Sequence, residues 1–508
     1  MQRASDLLVA VSSGAEEHKA RILDLAFSAT EELRLVAQEQ DSLWIFDVDR
    51  GYETLNQIEY KRRFEPVDPT LEEIFRLISE GRPRDLPGFN ENVECQSSHM
   101  SCEGSRANGM VYRSPVCLVS MFMDVDKWTS TFSNIVSKAI NLAGLTTGNM
   151  ENANGSVQVM HAEFHICSPL IPPRQMYLVR QSRRIDNSTW VVADVSLETI
   201  YPNPFPTSKR KPSGCLIQAL GDGVSKVTWV EHNAEREGSM FKALLESGVA
   251  YNAKRWMSTL ERQCERIADD SLNDKGSGAA RNGLLKLAER MTRLFSFKIF
   301  STTESGWRGV NLPGVDGILI KNWLIPPRVA VSIATSLWLP MKQDQVFNFL
   351  RNEQNRAKWD ILSHGMEVEE VVRISSPRNS TDLVSVVSVG QCSKRGAITY
   401  LQESYNDSVA CYTAYAPVDV RTMQHILQGG TADSVAILPS GFVILPDGSA
   451  DRSSILTVAF QIIDEELTTP QELPESSLIT AYKLIRDTVS LIQTALLQET
   501  KWQCPPPP

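Results

Sequence analysis

Two stretches decide the fold: PSGCLIQALGDGVSKVTWV at 212–230 and PSGFVILPDGSADRSSILTVAF at 439–460. Each runs from Pro-Ser-Gly through a short apolar segment and an Asp-Gly turn into a strand that contains a threonine, which is a hairpin pattern. Their starting prolines lie 227 residues apart. Upstream, SMFMDVDKW ending at Trp128 and NFLRNEQNRAKW ending at Trp359 repeat a helix-to-tryptophan step at an offset of 231. A long amphipathic segment closes each half. Three matches in one order at nearly one offset indicate a duplicated unit.

Around the first hairpin, Val157–Ile166, Met176–Arg184, Trp190–Leu197, Cys215–Leu220 and Lys226–His232 read as short strands separated by turn residues. A helical face at Ile22, Leu25, Ala29, Leu33 and Val36 precedes them, with further helical patterns at 71–78 and 116–123 and a Gly/Pro bend at 82–88. From about Ser239 to Ala268 a helix follows, its stripe formed by Phe241, Leu244, Val249, Trp256, Leu260, Cys264 and Ile267. Helix, antiparallel strands and one long terminal helix make an α+β order. The expected divisions are a tail at 1–15, a first domain at 16–268, a linker at 269–282, a second domain at 283–498 and a Pro-rich tail at 499–508. The segment DDSLNDKGSGAAR reads as linker because it has too few apolar residues to pack. Residues 297–330 show weak periodicity. Leu478, Tyr482, Ile485, Val489, Ile492 and Leu496 form a seam on the last helix, which is expected to pack on its own sheet.

Composition bounds the chemistry. The 508 residues are 42% apolar and 22% charged, with a net charge of −10 and a pI near 5.4. No global positive field draws such a chain onto nucleic acid. Nine cysteines fall in no CxxC pair or metal-ligand spacing, and no window is long and apolar enough for a membrane span. The N-terminus lacks the form of a secretory signal, so the expectation is a soluble intracellular protein. His161 and His165 share a strand face, which reads as structure rather than a metal site. The pairs Asp124/Asp126 and Asp47/Asp49 read as capping and turn chemistry. No G-x-S-x-G, Walker-type or H-E-x-x-H motif is present, so no enzyme, metal or cofactor is expected. The basic runs Arg183-Arg184 and Lys209-Arg210-Lys211 read as solvated surface.

A curved sheet covered by one long helix encloses a space between them, and such apolar spaces hold ligands. Strand alternation sets Val157, Val159, His161, Glu163 and His165 on one face, and Met176, Leu178 and Arg180 on one face of the next strand, with Arg174 just before it. A charge in that space needs a partner, and Glu163 with Arg174 or Arg180 offers one. The alternative places these charges on the solvated face. Candidate ligand contacts are Glu163, Arg174, Arg180, Trp256 and Leu260.

KRKPSGCLIQALGDGVSKVTWVEH (209–232) and SGVAYNAKRWMSTLERQCERIA (247–268) resemble signature stretches of plant class IV homeodomain–leucine zipper (HD-ZIP IV) START domains. LVSMFMDVDKW (118–128), SIATSLWLP (332–340), FNFLRNEQNRAKWDILSHG (347–365) and LPSGFVILPDG (438–448) extend the resemblance, which is colinear from about residue 20 to 497. It implies a START-type helix-grip domain followed by a diverged START-like, START-associated domain. It also implies a non-enzymatic lipid- or sterol-binding role, a place in nuclear regulation of transcription in plant epidermal cells, and other HD-ZIP IV proteins as partners. No W-F-Q-N recognition-helix motif or N-terminal heptad array occurs in these residues, so no direct DNA binding is expected from them. The alternatives are a cytoplasmic lipid-transfer protein and a headless regulator that associates with full-length relatives.

Overall fold

The computed structural model describes residues 16–39, 42–48, 51–65, 100–146, 153–166, 173–200, 208–236, 250–272, 277–299, 306–309, 317–325, 327–363, 368–376, 379–390, 398–447, 453–464 and 474–503, with single positions at 148, 168–169, 171 and 365–366. Helix α1 (Glu16–Gln38) leads into strands β1 (Trp44–Asp47) and β2 (Tyr52–Leu55), helix α2 (Gln57–Phe64) and strand β3 (Met100–Val111). Helices α3 (Pro115–Met123) and α4 (Val125–Thr131) follow. Then come β4 (Val136–Thr146), β5 (Val157–Phe164), β6 (Arg174–Arg184), β7 (Thr189–Ser196), β8 (Ser208–Arg210), β9 (Ser213–Gly221) and β10 (Val224–Arg236), and helix α5 (Ala253–Leu272) ends the half.

The second half opens on α6 (Ser277–Ile299), β11 (Arg308–Gly309), β12 (Leu319–Ile325) and β13 (Arg328–Leu339). It continues through α7 (Gln343–Arg351), α8 (Arg356–Trp359), β14 (Val368–Ser375), β15 (Leu383–Val389), β16 (Ile398–Asn406) and β17 (Cys411–Val418). Helix α9 (Val420–Leu427), strands β18 (Ser440–Pro446) and β19 (Ser454–Asp464), and helix α10 (Glu475–Gln503) complete it.

Each half builds one antiparallel sheet. The first has the order β1-β2-β3-β10-β9-β7-β6-β5-β4, with β8 beside β10. The second has the order β11-β12-β13-β19-β18-β17-β16-β15-β14. The seven-strand paths from β3 to β4 and from β13 to β14 correspond strand for strand, with a helix pair inserted after the first strand and a long helix after the last. The repeat read from the hairpins is therefore a repeat of topology.

The Pro-Ser-Gly motif has a steric cause. A Cβ on Gly214, at φ +132°, would lie 2.2 Å from the carbonyl oxygen of Val192 on the neighbouring strand, and one on Gly441 would lie 2.3 Å from that of Thr413. Only glycine allows that approach of backbones. The tryptophans correspond too. Trp128 packs in the first core with Trp256 of α5, and Trp359 packs in the second with Tyr415, Phe442 and Ile485 of α10.

Both faces of the first sheet are covered. Ile22, Ala26 and Ala29 of α1 pack on Val157, Val159, Val179 and Val195, and Leu33 and Val36 pack on Val191, Leu216 and Val230. The other face meets α3, α4 and α5. In the second half, α10 takes the gripping position with Ala481, Ile485, Ile492 and Leu496 inward, as its seam predicts.

Two expectations change, and one unassigned stretch is filled. The linker at 269–282 is largely helix, since α5 runs to Leu272 and α6 starts at Ser277. Both helix ends fall inside 269–282, because polar helix ends meet water and need no apolar residues, so composition marks the place of the junction and overstates its length. The helix expected from Ser239 begins instead at Ala253, where the Asn252 side chain accepts the Arg255 backbone N–H at 2.9 Å as a cap. Phe241, Leu244 and Val249, like the patterns at 71–78 and 82–88, lie outside the described residues. The stretch 297–330 supplies the end of α6 and the edge strands β11 and β12.

Candidate lipid site between the terminal helix and the first sheet

Helix α5 turns Ala253, Trp256, Met257, Leu260 and Cys264 toward the first sheet, a spacing that keeps them on one helical face. Trp256 is sandwiched. Its ring stacks 6.0 Å from Trp128 and 5.1 Å from Trp229, at interplanar angles of 13° and 12°, and Phe132 closes one side at 4.8 Å.

Against this aromatic block lies a chain of buried charges. Arg180 Nε and Nη2 donate to the two oxygens of Asp194 at 2.6 and 2.8 Å, and its Nη1 donates to the Phe122 carbonyl at 2.6 Å. Its guanidinium carbon sits 4.0 Å over the Trp128 ring. Arg210 makes the same two-pronged pair with Glu231 at 2.6 and 2.7 Å, and its Nε lies 3.9 Å from Asp194. Trp229 Nε1 donates to Glu231 at 2.8 Å. Two arginines thus face two carboxylates, and the group carries no net charge. Burial works against the charge on Arg210, but Glu231 and Asp194 outweigh it and hold the guanidinium more firmly protonated than usual.

Two donors in this interior, Trp256 Nε1 and Arg210 Nε, are buried and have no hydrogen-bond partner among the described residues. A buried donor left unpaired costs about 1–3 kcal/mol. An acceptor oxygen would satisfy either.

The structure sorts the sequence candidates. Trp256 and Leu260 line the helix side, and Arg180 faces them from β6. Glu163 does not join them. It alternates with Val157 and Val159, which pack under α1, whereas Arg180 alternates with Met176 and Leu178 on the α5 face. The Glu163 carboxylate accepts from Ser137 Oγ at 2.6 Å and from Gln175 Nε2 at 3.2 Å. The partner of Arg180 is Asp194, which the sequence reading did not consider. Removing Arg180 would strand that buried carboxylate, so Arg180→Ala should destabilise the fold. Arg174 stacks 3.7 Å over the Tyr251 ring, just ahead of α5. Arg210 corrects the surface reading of 209–211, being 2% exposed. Asp194 and Glu231 do share the α5 face by alternation, Asp194 with Trp190 and Val192 and Glu231 with Val227 and Trp229, but alternation pairs neither with its arginine and gives no signal for Arg210.

Of the histidine pair, His165 is buried and its Nε2 lies 3.0 Å from the Ser133 carbonyl. Among the described residues no group of three His, Cys, Asp or Glu is placed to hold a metal. Asp124 caps α4, accepting the Lys127 N–H at 3.1 Å.

Buried histidines make stability depend on pH. Burial, with Arg255 nearby, pulls His165 from 6.5 down to about 4, and burial with Lys211 pulls His232 well below its ordinary value. The unfolded chain protonates both near pH 6.5 while the folded chain resists. Their contribution is therefore complete above pH 6.5 and is lost as pH falls toward 4, at no more than about 1.4 kcal/mol per pH unit for each group. Asp382 opposes this. Burial lifts its carboxyl to about 6, which favours the folded state at lower pH. Both histidines lie in the first domain and Asp382 in the second, and of the first domain's described groups only Glu32, whose carboxyl burial also raises, works against the histidines, so the thermal transition of the first domain falls between pH 7 and pH 5. The double variant His165→Gln/His232→Gln flattens that slope.

This arrangement, a curved sheet gripped by its C-terminal helix over a largely apolar interior, defines a START-type helix-grip protein. Residues 24–266 match the family description START domain, and residues 277–498 match PDF2-like, C-terminal domain. The chain belongs to the class IV homeobox-leucine zipper family. It is 32% identical over 525 residues to homeobox-leucine zipper protein HDG1 of Arabidopsis thaliana, covering 96% of this chain and 62% of that protein. ANTHOCYANINLESS 2 of the same plant is 33% identical over 517 residues, covering 95% and 61%. ROC8 of Oryza sativa subsp. japonica is 33% identical over 554 residues, covering 97% and 74%. The chain thus spans about three-fifths of the length of the first two relatives. Among solved structures, human StAR-related lipid transfer protein 5 is 16% identical with a TM-score of 0.26, covering 44% of this chain and 98% of that one. The START domain is a lipid-binding fold. No helix among the described residues is long and apolar enough to cross a membrane.

Proposed function

We propose that the first domain holds a neutral lipid or sterol between α5 and its sheet, and that occupancy modulates transcriptional regulation by this chain in the nucleus of plant epidermal cells. One observation carries the lipid reading: a charge-balanced ion-pair chain buried beside stacked aromatic rings, with two donors left unpaired. Burying ion pairs is costly and seldom favoured for stability alone. An ester, ketone or hydroxyl oxygen would meet Trp256 Nε1 or Arg210 Nε without adding charge. A phosphate would bring a negative charge to a site whose arginines are already matched. Trp256, Leu260, Arg180 and Arg210 are the proposed contacts, with Arg174 at the rim.

The role is a binding one. Burial pushes the thiols of Cys215 and Cys264 up, Cys264 to about 12, opposite to what an activated nucleophile needs. The same reading divides the chain at the break between Leu272 and Ser277, with unit ends near 16 and 498 as the sequence suggests. Other HD-ZIP IV proteins are the proposed partners.

The test exposes purified protein to vesicles of mixed neutral and anionic lipids, then repurifies and extracts it. Neutral hydroxyl- or carbonyl-bearing lipid should be retained at close to one per chain. Enrichment of anionic phospholipid, or retention no higher than for an unrelated soluble protein, would overturn the reading.

A further inference from the structure

Helix α5 has a second working face. About two-fifths of a turn from the stripe that meets the sheet, Arg255, Thr259, Arg262 and Arg266 recur at four-, three- and four-residue steps, and the three arginines reach the second domain. Arg255 is 0% exposed. Its Nε donates to Asp407 Oδ2 at 2.9 Å, and its Nη1 and Nη2 donate to the Ala250 and Asn134 carbonyls at 2.9 and 2.7 Å. Asp407 Oδ2 also accepts from Tyr412 OH at 2.7 Å and from Asn134 Nδ2 at 2.8 Å, while Oδ1 accepts the Ala410 N–H at 2.8 Å. Asn134 Nδ2 in turn lies 3.0 Å from Thr259 Oγ1. One turn further on, Arg262 and Arg266 both reach Glu403, and the Arg262 guanidinium carbon lies 3.5 Å over the Tyr405 ring.

The helix that closes the first domain is therefore held by ion pairs to β16 and the β16–β17 turn of the second. We propose that the second domain is a latch on α5, so that the interior of the first domain opens only when Arg255 leaves Asp407 and Arg262 and Arg266 leave Glu403.

The chemistry suits a contact that must release. The contact is mixed, since Val409, Ala410 and Tyr412 belong to the same buried apolar cluster as Phe132, Ile135 and Leu260, and the ion pairs are the part of it that regains hydration on both partners when it separates into water. At the Arg262 end, a cavity of about 40 Å³ lies among Arg262, Glu265, Arg266, Arg281, Ser376 and Asp382, large enough for water to enter. Asp407 and Glu403 remain ionised there. Burial pushes both carboxyls up, but Arg255 holds Asp407, and Arg266 and Arg262 hold Glu403, below the usual carboxylate range. Because one helix joins both contacts, anything that holds α5 against the sheet strengthens domain docking, and docking strengthens retention in equal measure. The latch rests on the lipid reading for its purpose, not for its mechanics.

Cys264 makes the test direct. It sits on the sheet-facing side of α5 and is 1% exposed, while Cys215, also 1% exposed, lies in the sheet itself. Full-length protein is treated with iodoacetamide under native conditions, and modification of each cysteine is followed by peptide mass spectrometry. In Glu403→Gln, and more strongly in Asp407→Asn, Cys264 should react roughly five- to tenfold faster, the size expected when one ion-pair coupling is lost, with Cys215 unchanged. A protein that retains no vesicle lipid but shows this response keeps the latch and loses the lipid reading. An unchanged Cys264 rate in Glu403→Gln, or Cys264 and Cys215 rising together in both variants, would overturn the latch.

Discussion

Trp256→Ala should lower the stability of the first domain by about 3–5 kcal/mol, the range for removing a large buried aromatic. The reason is local. Trp256 is the middle ring of a three-tryptophan stack, and its loss leaves Trp128 and Trp229 facing a void where α5 meets the sheet. The cationic face of Arg180 over Trp128 is loosened at the same time. Unfolding followed by tryptophan fluorescence and far-ultraviolet dichroism should show an early transition for the first domain, with the second retaining its own. Two domains make a single two-state midpoint inappropriate, so the transitions are fitted separately. Trp256→Phe keeps most of the ring contact and should recover more than half of the loss.

Asp407→Ala should have an effect of similar size by a different route. Arg255 would be left as a buried cation with its carboxylate removed, which costs about 3–5 kcal/mol when the partner cannot reach water. Tyr412 OH and Asn134 Nδ2 lose an acceptor in the same step. The two domains should then unfold with more widely separated transitions than in the wild type. The double variant Arg255→Leu/Asp407→Leu removes both charges and should be less damaging than either single truncation, because no ion is left unmatched. A loss no larger than that from truncating an exposed pair such as Arg486 with Asp487, on the surface of α10, would show that the interface carries no coupling.

Most of the architecture could be read from residues. The strands from 157 to 232 were placed within a few positions because each alternates and ends on turn residues. The duplication was visible because glycine is sterically required beside Val192 and Thr413, and because a tryptophan fills the same place in both cores. Local composition misled where tertiary contacts decide. Lys209-Arg210-Lys211 looks like a solvated run, yet Arg210 faces inward to reach a glutamate 21 residues away. DDSLNDKGSGAAR looks like a flexible link, yet helix persists at both of its ends. Alternation on β6 grouped Arg180 with Met176 and Leu178 but left open which face they occupy, and it could not pair Arg180 with Asp194, because pairing across strands depends on register that one sequence does not give. The second face of α5 was likewise hidden. Its arginines look like an ordinary solvated helix side until a second domain is set against them.

Photo-crosslinking tests the central claim most directly. Full-length protein is loaded with a diazirine-bearing sterol, irradiated, and the labelled peptides are mapped by mass spectrometry. Crosslinks should concentrate on α5 between Ala253 and Arg266 and on the facing residues of β6, β7 and β10, with competition by unlabelled neutral lipid. Labels confined to the second domain, or to α1 and the outer face of the first sheet, would contradict the account.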